Sequence, residues 1–151
     1  MSGIGERLAS HILIGLDTAI FIYHLEVHPS YIAFTRELLN GVQSGKWNAV
    51  TSIATIMELT VHPRRMNRPG VAREYEAILA NFPNLYLADI NRDIARKSAA
   101  LRAIYNIRPV DALQVATALV HQATAWVTND KKLKQLSSVL DIVILDDLVE
   151  F

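Results

Sequence analysis

The sequence contains no cysteine among its 151 residues. This absence excludes disulfide bonds, thiolate zinc sites and cysteine nucleophiles. The chain also lacks an apolar run of the roughly 18 residues that a membrane helix requires. Its first eleven residues are polar and contain no apolar stretch of signal-peptide length. These absences predict a cytoplasmic protein without a membrane segment.

An excess of charge of either sign is missing as well. Lys and Arg together number 15, as do Asp and Glu, so the formal net charge is zero. A strongly basic balance would by itself have indicated a nucleic-acid partner, and it is absent. A local basic face stays open, because Arg64, Arg65, Arg68 and Arg73 lie in a stretch without acidic residues from 61 to 73.

Two interpretations of this basic stretch are equally open. It holds the backbone of a bound RNA, since phosphate contacts supply most nonspecific affinity, or it is a solvated helix face and loop. Arg92, Arg96 and Arg102 lie on a later predicted helix, and for them the solvated face is the favoured interpretation.

Hydrophobic residues make up 51% of the chain, enough for one sizeable core. The length fits one domain, so residues 1–151 are predicted to form a single unit. Short apolar runs without helical periodicity alternate with helical patterns along the chain. This alternation predicts an α/β fold: a three-layer sandwich with a central, mainly parallel five-stranded sheet. The predicted strands are 12–16, 47–51, 85–87, 125–127 and 142–145.

Several residues mark the predicted helix ends. Ser52 is a candidate N-cap, and Pro63 is expected to end or bend the helix that follows it. Asn91 is expected to cap a helix that reaches about residue 105. Pro109 stands where a first helical position is expected. Helices are also predicted after residue 17, from 30 to 41, from 69 to 82 and from 131 to 136.

Two acidic residues come directly after predicted strands. Asp17 follows the first strand and Asp130 follows the fourth, after the pair Thr128 and Asn129. Ligands of open α/β sheets bind at the carboxyl ends of the strands, so both carboxylates are expected at that edge. An unpaired charge next to apolar segments is costly, and a cation is the simplest compensation.

Two further acids lie in apolar helices. Glu58 is six residues past Ser52, and Asp111 is in the first turn after Pro109. Each acid also has an ordinary structural explanation: a cap for Asp17 and Asp130, a favourable helix-dipole position for Asp111, and an ion pair with Arg64 or Arg65 for Glu58. Together, four carboxylates at one edge suit Mg²⁺ or Mn²⁺. Such a site can activate water and neutralise charge on a phosphoryl group.

Four motifs resemble those of PIN domains, the fold of VapC-type toxin ribonucleases. The resemblance covers about residues 12–148, with the motifs in the family's order. Each motif alone is weak evidence, whereas four in order at sensible spacing are strong evidence. The motifs are LDTAIFIY at 16–23, TSIATIMEL at 51–59, PVDALQVATA at 109–118 and VTNDKKL at 127–133.

The resemblance implies a reaction and roles for five residues. Asp17, Glu58 and Asp111 would be ligands of Mg²⁺ or Mn²⁺, and Asp130 would complete the site directly or through water. Thr128 would orient a carboxylate or water. The reaction would be hydrolysis of an RNA phosphodiester by metal-activated water, leaving a 5′-phosphate and a 3′-hydroxyl. The family also implies an inhibitory antitoxin partner and a homodimer.

One position departs from the family pattern. Ala19 stands where the family often has Asn or Ser, which puts a secondary hydrogen bond in doubt and leaves the carboxylates intact. A non-catalytic PIN-like module that binds RNA or protein is the main alternative. A phosphatase with Asp17 as nucleophile is disfavoured, because Ala19 also replaces the second acid that such enzymes place there.

Overall fold

Residues 3–149, which a computed structural model describes, contain five strands in one sheet. The strand order is β3-β2-β1-β4-β5, and every neighbouring pair is parallel. The predicted α/β class and five-stranded sheet are therefore confirmed, with no antiparallel pair among the described strands. The strands are β1 Leu13–Leu16, β2 Asn48–Ser52, β3 Leu85–Ala88, β4 Ala125–Thr128 and β5 Asp141–Ile144.

Helices cover both faces of the sheet. Alternation along β4 shows the two layers: Ala125 and Val127 pack with helices α1 to α5, whereas Trp126 packs with α6 and α7. The helices are α1 Ile4–Arg7, α2 Thr18–Leu25, α3 Ile32–Gln43, α4 Ala54–Arg65, α5 Pro69–Asn81, α6 Arg92–Ile104 and α7 Pro109–Val120, with 3-10 helices at Lys131–Leu136 and Leu145–Leu148. Among residues 3–149, no helix combines the length and apolar character that crossing a membrane demands.

The register of the central strands fixes where the site residues emerge. Leu16 pairs with Val127, so β1 and β4 end side by side, and the amide of Asp17 donates to the Val127 carbonyl at 3.0 Å. Gly15 lets α7 approach β1, because a Cβ there would lie 2.6 Å from the Trp126 ring and 2.8 Å from Ala118 Cβ. The C-terminal half of α7, which contains Ala118, therefore packs closely against β1.

Some helix boundaries differ from the prediction. Of the two effects expected of Pro63, an end of the helix is wrong, because α4 continues to Arg65. Proline removes one amide donor, and so near the end of a helix it breaks only one hydrogen bond; the ring of Pro63 is also buried. Ser52 lies in β2, and the N-cap position of α4 is Ile53, so the predicted cap is wrong by one residue; Ser52 Oγ nevertheless accepts from the Ala54 amide at 3.0 Å. Asn91 caps α6 as predicted, with Oδ1 accepting from the Ile94 amide at 3.0 Å.

Candidate functional site

A cleft of about 500 Å³ opens at the carboxyl edge of the sheet. The strands β1 and β4 and the helices α2, α4 and α7 contribute its walls. The structure brings together in this cleft all five residues that the sequence singled out: Asp17, Glu58, Asp111, Thr128 and Asp130.

Asp17 lies at the centre of the cleft, between β1 and α2. One carboxylate oxygen accepts from the Thr18 amide at 2.7 Å, and the other accepts from Thr128 Oγ1 at 2.6 Å. The first bond is the helix cap that the sequence also predicted. Capping and membership of the site are therefore compatible, because the two oxygens have separate partners.

The environment of Asp17 disfavours its charged form. Burial raises the pKa of its carboxyl group to about 6, and the negative charges of Asp111 and Glu58 act in the same direction. The hydrogen bonds from Thr128 and Thr18 lower the pKa and only partly oppose this shift. A cation bound in the cleft would relieve the unfavourable charge.

Glu58 faces the same cleft from α4 and is held by two side chains. Its Oε1 accepts from Thr18 Oγ1 at 2.7 Å and from Gln114 Nε2 at 3.2 Å. Among the described residues it forms no ion pair. The pairing with Arg64 or Arg65 considered from the sequence is therefore wrong, and those two arginines line a separate cavity.

A chain of buried hydroxyls fixes the direction of these hydrogen bonds. Thr51 Oγ1 donates to the Leu16 carbonyl at 2.9 Å, so its contact with Thr55 Oγ1 at 2.8 Å uses the Thr55 hydrogen. Thr55 then accepts from Gln114 Nε2 at 3.1 Å. The amide nitrogen of Gln114 must consequently point at the network and at Glu58.

Gln114 and Thr18 are the residues that the sequence analysis missed. Gln114 is only 1% exposed and lies on α7, and its Nε2 also contacts Thr18 Oγ1 at 3.1 Å. A lone amide on the otherwise apolar face of the predicted helix was the available signal. Its meaning depended on how α7 is rotated against β1, which the sequence pattern does not specify.

Asp111 and Asp130 face each other across Arg108. The guanidinium Nε of Arg108 lies 2.9 Å from Asp111 Oδ2, and its Nη2 lies 3.9 Å from Asp130 Oδ2. Asp130 also caps the following 3-10 helix, since Oδ1 accepts from the Lys132 amide at 3.0 Å. The side chain of Arg108 is 78% exposed, whereas that of Asp111 is 14% exposed, so the arginine covers the carboxylate from solvent.

The donor chemistry of the cleft suits a hard divalent cation, which prefers carboxylate and hydroxyl oxygens. Within residues 3–149, however, no three His, Asp or Glu side chains stand close enough as a group to hold a metal ion. Arg108 occupies one oxygen of Asp111 in this structure. The chemistry of these donors fits Mg²⁺ or Mn²⁺, and a cation bound there would compete with Arg108 for Asp111.

Other candidate residues have different surroundings. The ring of His28 packs against Tyr23 and Tyr31 at centroid distances of 5.1 and 4.7 Å. Arg102 is exposed, as predicted, but it also lines a cavity next to the cleft. Trp47 and Trp126 are buried in the core, at 2% and 1% exposure.

Known proteins resemble this chain in fold. A chain from a toxin–antitoxin complex of Klebsiella pneumoniae shares 22% identity over 87% of this chain and 97% of its own, with a TM-score of 0.65. A chain of VapBC-1 from nontypeable Haemophilus influenzae shares 22% identity over 89% and 99%, with a TM-score of 0.66. A chain of the DNA-bound VapBC from Salmonella typhimurium shares 21% identity over 89% and 98%, with a TM-score of 0.66.

At these identities the structural likeness shows the fold alone. Comparison with curated proteins found no match. The family model named PIN domain matches residues 14–139, which span β1 to the 3-10 helix before β5 and include every acid of the cleft. The sequence motifs, the sheet order and this match agree, and the chain belongs to the PIN domain family.

Proposed function

We propose that this protein is a metal-dependent endoribonuclease that hydrolyses RNA phosphodiester bonds, and the toxin of a toxin–antitoxin pair. The observation that carries the proposal is the convergence of Asp17, Glu58, Asp111 and Asp130 in one cleft, with Asp17 held in an environment that disfavours its charge. Four acids in this arrangement have no structural necessity, because one cap residue at each helix would suffice.

The proposed roles follow from the contacts of each acid. Asp17, Glu58 and Asp111 would hold Mg²⁺ or Mn²⁺, and Asp130 would complete the site directly or through water. The cation would activate water and neutralise charge on the phosphoryl group. Thr128 holds one oxygen of Asp17 at 2.6 Å, which orients the carboxylate before any ligand arrives.

Replacing Arg108 by glutamine should strengthen Mn²⁺ binding. The variant removes a cation that competes for Asp111, and an exposed ion pair of this kind contributes up to about 1 kcal/mol, or roughly fivefold in affinity. Calorimetric titration of the protein with Mn²⁺ measures the change. Arg96→Gln is the matched control, because Arg96 pairs with Asp93 at 3.0 Å on the outer surface. Weaker Mn²⁺ binding by Arg108→Gln would show that Arg108 does not compete with the cation.

The partners we propose are an antitoxin and a second copy of the chain. The structures that share the fold come from toxin–antitoxin complexes. A mostly apolar cavity of about 270 Å³ adjoins the cleft through Glu58 and is lined by Leu59, Pro63, Val71 and Tyr75. It would accept apolar side chains of an antitoxin, while a basic side chain reached Glu58. Such a toxin would act in the cytoplasm.

A non-catalytic module that binds RNA or protein is the second candidate. The ion pair between Arg108 and Asp111 favours it, because this pair leaves the described acids without a ready-made metal site. The two candidates differ in one outcome: a binding module retains RNA in saturating Mn²⁺ and leaves it intact.

The deciding experiment uses purified protein, stripped of any bound inhibitor, and total RNA. We expect cleavage in Mn²⁺, no cleavage in EDTA, and new ends that carry a 5′-phosphate. Sequencing those ends also identifies the RNA that is cut. Intact RNA in Mn²⁺, together with stable RNA binding, would replace the ribonuclease by the binding module.

A further inference from the structure

A second cavity, of about 320 Å³, lies beside the carboxylate cleft. The two cavities share Arg108, Asp111 and Asp130, so they form one continuous depression. Two further basic residues line only the second cavity: Arg102 from α6 and Lys132 from the 3-10 helix after β4. We call this cavity the basic groove.

The cations that are particular to the basic groove are not neutralised. Across residues 3–149, neither Arg102 nor Lys132 lies within ion-pair distance of a carboxylate. One other cation on each of the same elements is paired: Arg96 with Asp93 at 3.0 Å, and Lys134 with Asp147 at 2.9 Å. Arg92, Lys97 and Lys131 also form no ion pair among the described residues, but they do not line the groove, so Arg102 and Lys132 are the unpaired cations of these two elements that face it.

The backbone around the basic groove holds the guanidinium of Arg102 in place. Its Nε donates to the Ile107 carbonyl at 3.2 Å, in the turn between α6 and α7. Ile107 is 7% exposed and belongs to the core, so this anchor is fixed. A guanidinium held through Nε keeps its remaining N–H groups for a ligand, and this planar fork matches phosphate oxygens.

We propose that the basic groove binds the backbone phosphate of the nucleotide next to the one that is cleaved. The inference rests on the proposed ribonuclease function, which places the cleaved phosphate in the adjoining cleft. Arg102 and Lys132 would contact the neighbouring phosphate, and Arg108 stands between the two cavities, where it can reach either. A strand of RNA would thus cross the depression from the cleft to the groove.

The basic groove fits RNA better than the stretch from 61 to 73 does. Arg64 and Arg65 line a cavity with Met57 and Val61, which shares no residue with the cleft. Arg68 lines the apolar cavity, where it is the only arginine among the lining residues. The phosphates of an RNA strand that runs out of the cleft are best bound by cations directly next to it, and the groove supplies Arg102 and Lys132 there.

The test compares two double variants that remove the same charge from the same two elements. Arg102→Ala with Lys132→Ala removes the groove cations, and Arg96→Ala with Lys134→Ala removes the paired ones. Binding of a fluorescein-labelled, single-stranded RNA of mixed sequence is measured by anisotropy over a range of salt, in Ca²⁺, with intact RNA verified on a gel. We expect the magnitude of the slope of log affinity against log salt to fall by about 0.7 for the groove variant alone, since the groove contacts one phosphate and each contacted phosphate of a single strand contributes about that much.

Three results would contradict phosphate binding by the groove. They are equal salt-dependence slopes for the two variants, no RNA binding by the wild type, or displacement of RNA by polyglutamate as readily as by unlabelled RNA. The last result would identify a site for an acidic peptide. DNA of the same sequence should show the same dependence on the groove, because the contacts are to phosphates. If the groove variant and the wild type bound DNA with the same salt dependence, recognition of phosphates by the groove would be refuted.

The groove and the ribonuclease can fail separately. If both variants bind RNA equally and Mn²⁺-dependent cleavage is intact, the groove proposal is contradicted and the nuclease proposal is retained. If the salt dependence of RNA binding changes in the groove variant but the protein does not cut RNA, the nuclease proposal is contradicted and phosphate binding by the groove is retained.

Discussion

The substitution Asp17→Asn is expected to abolish RNA cleavage. In metal-free protein, we also expect the wild type to lose stability as pH rises and the Asp17→Asn variant to keep it. Removing a residue that supports a metal ligand typically lowers activity roughly 10–100-fold, and removing a ligand should lower it further. Asp17→Asn keeps the size of the side chain and one oxygen that can accept from Thr18 or Thr128. The fold should therefore be retained while the cation is lost.

The pH dependence follows from the raised pKa of Asp17. Its pKa is about 6 in the folded protein against 3.8 ordinarily, so between these values the folded state binds more protons than the unfolded state. Stability then decreases as pH rises through this window, and the protonated form is the favourable one. The contribution is complete below pH 4, is lost above about pH 6, and amounts to roughly 3 kcal/mol at most, at 1.36 kcal/mol per unit of pKa.

The measurement is urea unfolding of the wild type and Asp17→Asn in EDTA at a series of pH values. We expect the free energy of unfolding of the wild type to fall relative to that of the variant between pH 4 and 6. Mn²⁺ at neutral pH should stabilise the wild type and leave the variant unchanged. Asp93→Asn is the control, because Asp93 is exposed and pairs with Arg96. Full cleavage by Asp17→Asn would exclude Asp17 from the reaction, and parallel pH curves would contradict its raised pKa.

The sequence was sufficient to place Asp17 and Asp130 because their positions follow from the topology, whereas Glu58 and Asp111 lie in helices and were placed by their motifs. Asp17 and Asp130 come directly after short apolar runs, and parallel strands end at one edge of a sheet. The caps considered as alternatives are real, yet Asp17 and Asp130 also line the cleft. The roles of these acids stay predictions, because contacts alone do not show a bound cation.

What the sequence could not specify depends on how the helices are rotated and packed. The orientation of α7 is fixed by the contact of Gly15 with Trp126 and Ala118, and it decides that Gln114 points at Glu58. The place of Arg102 depends on the turn that joins α6 to α7. The helix α1 was not predicted, because its four residues carry too little periodicity to be distinguished from a polar terminus.

Methionine at position 114 is expected to lower RNA cleavage by roughly 10–100-fold, the usual effect of removing a residue that orients a metal ligand. Gln114 contacts Glu58, Thr18 and Thr55 through one nitrogen, and it is too deeply buried to touch RNA. The loss should therefore appear in kcat and in Mn²⁺ affinity, whereas KM for RNA stays unchanged. Thr117→Val is the matched control: Thr117 is equally buried on α7, but its hydroxyl donates only to the Leu113 carbonyl of the same helix.

The stability of Gln114→Met separates orientation from packing. Within the described part of the chain, Gln114 Oε1 has no hydrogen-bond partner, and a buried polar atom in that state costs about 1–3 kcal/mol. Methionine has similar volume and removes this atom, which offsets the lost hydrogen bonds, so thermal unfolding should shift little. A protein selected only for stability would gain from an apolar side chain here. If Gln114→Met lost stability and kept its kcat, the amide would have a packing role in the core. If the variant kept its stability and lost kcat, the unsatisfied oxygen would be tolerated because the amide nitrogen orients Glu58.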